Sequence, residues 1–375
     1  MTTSGFRIPN LVVAWPWLRA VNPHMDQTSQ NSSSWLENFH AYPPATQENF
    51  NRCDFGLLAA LTYPIASKEH LRTGTDFMNL LFFIDEITEI GDETFSTEVL
   101  YIAMDALRNP SKLRPKGEHV VGEITRQFWE RSIPHITATS HRRFVCALEA
   151  YLKSNVVQAR DRSSQHIRRI EEYFSTRRDN IGTKPAFVLL ELGLDIPDCV
   201  MTHPSIQSAV TSLTDMLIIA NDVFSFKVEH SRDDDANNVL KVVMCELRCN
   251  LARAIEWADE RNQQLRTTFL SSIAEVPSWG GQVDIQVSEY LYGLANWVRA
   301  NECWSFESQR YFGTHGPTVQ KDRWVSLDCG HPQCITGGTT TPRTSYRPYL
   351  VGMLGIATYA LSQYGLMSRA TLLRR

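Results

Sequence analysis

Ile218-Ile219-Ala220-Asn221-Asp222-Val223-Phe224-Ser225-Phe226-Lys227-Val228-Glu229 is an apolar run interrupted at regular intervals by oxygen-bearing side chains. Asn221, Ser225 and Glu229 stand at i, i+4 and i+8, so on a helix an amide, a hydroxyl and a carboxylate form one stripe. Ile218, Ile219, Val223 and Phe224 surround them, which predicts a helix buried over most of its surface. Buried polar groups need partners, and oxygen donors in a row, with no His or Cys among them, suit a hard divalent cation. Magnesium takes few protein oxygens and completes its shell with water and phosphate oxygens. The competing reading is a polar seam satisfied by neighbouring helices. It accounts easily for any one of these residues and poorly for three in register.

A second segment points the same way. In Leu80-Leu81-Phe82-Phe83-Ile84-Asp85-Glu86-Ile87-Thr88-Glu89, five apolar residues lead directly into acids. Asp85 and Glu89 are four apart and share a helix face, where like charges repel unless a cation intervenes. By itself this segment also reads as an ordinary solvated helix end.

The 375 residues carry a formal net charge of −4, with 43% hydrophobic and 21% charged residues. That composition allows a substantial soluble core, and it recommends neither nucleic acid nor an anionic membrane as the main partner. A bound anion must therefore be met by locally placed Arg, Lys or metal ions. Met1–Leu11 has no basic region ahead of an apolar stretch, so no signal peptide is expected. The eight cysteines, scattered from Cys53 to Cys334, form no disulfide framework and point to a reducing compartment, the cytosol. Cys329, His331 and Cys334 offer three zinc-type ligands without a signature for a fourth, and are read as free thiols in a loose tail.

Residues 1–45, rich in Pro, Ser and Asn, read as an irregular arm. Residues 46–325 read as one all-α domain of roughly ten helices, with turn clusters at Arg108–Gly117 and Asp195–Pro204. Residues 326–375 form a C-terminal extension of a different character. Within it Tyr349–Met367 is just long enough to span a bilayer, but Ser362, Gln363 and three glycines argue for a poorly ordered extension or a packed helix instead. The oligomeric state is open between monomer and homodimer.

Asn221-Asp222-x-x-Ser225-x-x-x-Glu229 resembles the NSE metal-binding motif of microbial class I terpene synthases, and Asp85-Glu86-x-x-Glu89 is similar to their aspartate-rich motif. Trp304-(x5)-Arg310-Tyr311 resembles their W(x5)RY pattern, and Arg177-Arg178-Asp-Asn-Ile-Gly182 their diphosphate-sensor region. Trp15-Pro16-Trp17 and Asn51–Gly56 look like sesquiterpene synthases of basidiomycete fungi, and the likeness runs over residues 8–325. Two positions depart from the pattern. Glu89 stands where the family usually has Asp, and is left out of the ligand set. Val228 stands where a Lys often precedes the motif's Glu.

The resemblance implies a helical bundle around a central cavity, with farnesyl diphosphate as substrate. It implies three magnesium ions held by Asp85 on one helix and by Asn221, Ser225 and Glu229 on the facing one. Arg310 and Tyr311 would donate to the diphosphate, and with Asp85 they make the catalytic set. Of two sensor candidates, Arg177 is preferred because Asn180 then sits three residues on as a linker; Arg178 is the other. Phe82 and Trp304 are expected to wall the cavity, since ring faces stabilise carbocations by about 0.5–2 kcal/mol each; as plain core aromatics they would be equally ordinary. The likeness is nearest to the fungal group that closes C1 onto C11 through a humulyl cation, with protoilludene as a typical product. A chain-elongating prenyltransferase and an inactive isoprenoid-binding scaffold are the alternatives. Only Glu89 among the motif residues favours the latter.

Overall fold

Helical periodicity carries through into a nearly all-helical protein. The computed structural model describes residues 5–232 and 235–327, which contain fifteen α-helices and one two-stranded ribbon. Strand β1 (Gly5–Arg7) is followed by α1 (Met25–Glu37), α2 (Pro44–Arg52), α3 (Phe55–Thr62), α4 (Lys68–Ile90), α5 (Glu93–Arg108) and α6 (Val121–Ser132). The middle of the chain forms α7 (Ala138–Ser164), α8 (Ile170–Asn180), α9 (Thr183–Val188), α10 (Asp198–Met201), α11 (Pro204–His230) and α12 (Val239–Leu247). It ends in α13 (Leu251–Ala274), α14 (Gly281–Glu307), α15 (Gly316–Asp322) and β2 (Trp324–Ser326), which pairs antiparallel with β1. The helices outnumber the expectation because α3, α9 and α10 have eight, six and four residues. Such pieces are shorter than a periodicity window can resolve.

The arm expected over residues 1–45 is instead part of the fold. Helix α1 buries Thr28, Ser32 and Trp35, a stripe at helical spacing in which hydroxyl residues do the work of apolar ones. Asn79 Nδ2 donates to Ser32 Oγ at 2.8 Å from within α4. Farther upstream, Trp15 is buried and donates from Nε1 to Ala295 O at 3.1 Å. A stripe built from Thr and Ser scores as polar, so the sequence concealed it. The boundary drawn at 325 falls inside β2. The extension from residue 328 onward, with Cys329, His331, Cys334 and Tyr349–Met367, lies outside the described residues.

Three long helices surround the middle of the fold. Helix α4 is capped by Ser67, whose side chain accepts from His70 N, and its apolar run buries Leu80, Leu81, Phe83 and Ile84. Helix α11 opens with Pro204 in its first turn, where a missing N–H is harmless. Among the described residues α11 is the one helix long and apolar enough to cross a membrane, but 83% of that stretch is buried inside the protein. It is a core helix. Helix α14 packs against α11 and against α3, whose eight residues are all buried.

Candidate active site

The two acidic segments meet at one cavity of about 130 Å³. Helix α4 contributes Asp85 and Glu89 to its wall, and α11 contributes Asn221, Ser225 and Glu229. Arg177 enters from the last turn of α8, and Arg310 and Tyr311 from the segment after α14. Leu81, Phe82 and Ile181 continue into an adjoining apolar chamber of about 60 Å³, where Trp304 lies. Of the residues given a metal, catalytic or substrate-binding role above, all but Arg178 line this pair of cavities.

Asn221 is the hub. Its Oδ1 accepts from Arg177 Nη2 at 2.9 Å and its Nδ2 donates to Tyr311 Oη at 2.8 Å. Arg177 also donates to Asn180 Oδ1 at 2.6 Å and to Asp222 Oδ1 at 3.4 Å. Burial works against the Arg177 charge, but Tyr173, Asp222, Glu229 and Asp85 outweigh it, so its proton is held even more firmly than usual. Arg178 does not reach the cavity. One residue on, it sits about 100° around the helix, where it forms a two-bond pair with Asp215 at 2.7 and 2.8 Å.

Glu229 is fixed by Asn238 Nδ2 at 2.9 Å. Its carboxyl is pushed up to about 8, first by burial and then by the nearby Asp222 charge. Asp85 is likewise raised, again mainly by burial, although Arg310 and Arg177 pull the other way. Its carboxylate accepts no hydrogen bond from the described residues. Two acids that resist ionisation, one on each wall, are what a bound cation would reverse. Among the described residues no three His, Cys, Asp or Glu side chains converge as a ready metal cage. The convergent set is mixed and all-oxygen: two carboxylates, an amide and a hydroxyl. This fits magnesium, which asks for a few protein oxygens and leaves the rest of its shell to water and phosphate.

Neighbours to which the sequence assigned no role hold several of these side chains in place. Glu86 accepts from Arg310 Nη1 at 3.1 Å and from Tyr42 Oη at 2.9 Å, which holds the guanidinium 5.3 Å above the Phe82 ring. Phe82 stacks on Phe55 with centroids 4.1 Å apart, and Trp304 lies 5.7 Å from Phe82. Trp304 Nε1 donates to Cys53 O at 2.7 Å, which fixes the ring in the chamber wall. Asp222, the second letter of the Asn-Asp pair, is not on the cavity wall. It is buried, and accepts from Tyr173 Oη, Val239 N and Arg177, tying α8, α11 and α12 together. Tyr151 and Gln158 of α7 and Asn237 complete the lining.

The chain belongs to the terpene synthase family: the family profile described as terpene synthase family 2, C-terminal metal binding, matches residues 76–267. It is similar to a Delta(6)-protoilludene synthase of Stereum hirsutum, 46% identical over 86% of this chain and 92% of that protein. It is also similar to a Delta(6)-protoilludene synthase of Postia placenta, 48% identical over 85% of this chain and 92% of that one. In fold it matches the solved structure of a cucumene synthase variant with a TM-score of 0.69 at 22% identity, covering 78% of this chain and 99% of that chain.

Proposed function

We propose that this terpene synthase, a lyase, is a sesquiterpene cyclase that ionises farnesyl diphosphate and closes the cation between C1 and C11 on a route of the protoilludene type. The observation that carries the reading is the convergence of Asp85 with the Asn221, Ser225 and Glu229 stripe on a cavity also lined by Arg177, Arg310 and Tyr311. The relatives named Delta(6)-protoilludene synthase support a product of the protoilludene type.

Magnesium, in a cluster of three ions, would be held by Asp85, Asn221, Ser225 and Glu229, and when bound it supplies positive charge that makes diphosphate a good leaving group. The protein's own part is positional and electrostatic. Arg177, Arg310 and Tyr311 present preorganised donors to the diphosphate as its allylic C–O bond breaks. The apolar chamber keeps bulk water from the cation. Trp304 adds aromatic surface to that chamber, and Phe82, held between Phe55 and the Arg310 guanidinium, lines it as well. Among the described residues no carboxylate or imidazole lines the hydrocarbon chamber, so the released diphosphate is assigned the final proton. We place the reaction in the cytosol, in keeping with the six free cysteines among the described residues.

Incubation with farnesyl diphosphate and magnesium, followed by mass-spectrometric analysis of volatile products, tests this. A cyclic sesquiterpene is expected. A longer prenyl diphosphate would indicate chain elongation, and no turnover a scaffold.

A further inference from the structure

Behind the hydrocarbon chamber lies a further cavity, of about 320 Å³, to which the reaction above gives no role. The two cavities share their walls in succession. Along α14, Gln282, Gln286, Glu289 and Gly293 line the outer cavity, and Trp297, Asn301 and Trp304 line the chamber. Steps of three and four residues keep to one helix face, so the two hollows follow one another along α14. On another wall, Thr183 and Ala186 of α9 line the chamber, and Leu189, Leu190 and Gly193 beyond them line the outer cavity. The boundary on α14 falls between Gly293 and Trp297, about 6 Å of helix rise.

Tyr63 fills that interval. It lines the outer cavity, is 3% exposed, and stands edge-on to Trp297 with ring centroids 6.0 Å apart. Its hydroxyl donates at 2.9 Å to the carbonyl of Ala186, a residue of the chamber wall. Gly74 of α4 leaves the ring its place, since a Cβ there would come within 2.7 Å of Tyr63 Cδ2 and Cε2. Helix α4 also gives the order of the compartments. Gly74 meets Tyr63, then Met78, Leu81 and Phe82 line the chamber, then Asp85 and Glu89 line the polar cavity. Tyr63 therefore lies at the end of the chamber opposite Asp85, about 16 Å along α4.

We propose that Tyr63, backed by Trp297, is the floor of the hydrocarbon chamber and limits the length of prenyl chain that the enzyme accepts. The inference rests on the sesquiterpene cyclase reading above. With the diphosphate held at the Asp85 end, a longer chain extends only toward Tyr63. One more isoprenoid unit would need the space of that ring. Past the ring, Leu189, Leu190 and Leu194 offer apolar wall in the outer cavity, so shortening Tyr63 joins two hollows rather than opening a blind gap.

The parent, Tyr63→Ala and Trp297→Leu are each given farnesyl diphosphate and geranylgeranyl diphosphate, one isoprenoid unit longer, with magnesium. The readout is kcat/KM for diphosphate release from each. Taken within one preparation, the ratio of the two constants cancels any loss of folded protein. The parent is expected to favour the farnesyl chain by at least about tenfold, the discrimination that a single misfit methylene commands. Tyr63→Ala should shift the ratio toward the longer chain by at least about tenfold, and Trp297→Leu should shift it in the same direction. Tyr63→Phe, which keeps the ring and loses only the bond to Ala186, should keep the parent's preference. A parent that uses both chains equally well, or a Tyr63→Ala ratio equal to the parent's, overturns the proposal. If Tyr63→Ala does not fold, an unshifted ratio in Trp297→Leu overturns it in the same way. Failure of the parent to release diphosphate from either chain overturns the cyclase reading instead.

Discussion

Asn221 donates to the Tyr311 hydroxyl at 2.8 Å across ninety residues of chain, and so ties α11 to the segment that follows α14. The same amide accepts from Arg177 at 2.9 Å. A cation on Asn221 Oδ1 would compete with Arg177 for that oxygen, releasing a guanidinium donor for an incoming anion. The three side chains therefore form a relay whose parts can be tested separately.

Tyr311→Phe removes the hydroxyl and little else. If that group donates to diphosphate, kcat/KM for farnesyl diphosphate should fall by about 10- to 100-fold, since a hydrogen bond to a charged group is worth roughly 1.5–3 kcal/mol. Circular dichroism should be unchanged. Parent-like kcat/KM would remove Tyr311 from the diphosphate site.

Asp85→Ala and Asn221→Ala each take one oxygen from opposite walls of the cavity. Product formation should drop by at least about 100-fold in either, beyond what even outer-shell changes cost a metal site. The helical fold should persist, because both side chains face the cavity rather than the apolar core. Full activity in either variant would sink the metal assignment.

Magnesium with inorganic diphosphate should stabilise the folded protein by mass action, by about 2.7 kcal/mol at a hundredfold excess over the dissociation constant. Thermal unfolding should therefore shift upward on addition and return on chelation. The shift should be absent in Asp85→Ala. A chelator-insensitive melting curve in the parent would contradict the site.

Arg177 and Arg178 should part company when each is replaced by Ala. Loss of Arg177 removes a cavity donor and should abolish turnover. Loss of Arg178 leaves Asp215, 2% exposed, without its two-bond partner. That should lower stability by about 1–3 kcal/mol while turnover stays within severalfold of the parent. Turnover lost with Arg178 and kept without Arg177 would reverse the assignment.

Gly182 holds φ at +76°, and a Cβ there would approach Leu81 Cδ2 to 2.8 Å. Gly182→Ala therefore meets both backbone strain and a cavity-lining methyl. A loss of at least about 1 kcal/mol is expected by chemical denaturation, together with an altered product ratio as Leu81 is displaced. An unchanged product ratio would show that Leu81 yields away from the cavity.

Much of the site was legible because helix geometry converts spacing into direction. Asn221, Ser225 and Glu229 at i, i+4 and i+8 had to share a face, whatever the rest of the chain did. Asp85 and Glu89 followed the same rule, and both now border the cavity. Glu86 and Tyr42 were not legible as the holders of Arg310. Their contacts join residues 44 and 224 positions apart, and no local pattern encodes that. Helix α1 was missed for a different reason: half of its buried face, Thr28 and Ser32 beside Trp35 and Leu36, is made of hydroxyl residues that read as polar.

The sequence by itself determined an all-α protein and two oxygen-bearing helix faces, because local periodicity alone sets which side chains are neighbours along a helix. Only the tertiary structure decided which of two adjacent arginines faces the cavity and which pairs with Asp215. Neighbours on a helix diverge by about 100°, and the choice depends on how α8 is rotated against α11. It also decided that Thr183 of α9 and Trp297 and Asn301 of α14 line one chamber, since no local pattern relates residues so far apart in the chain.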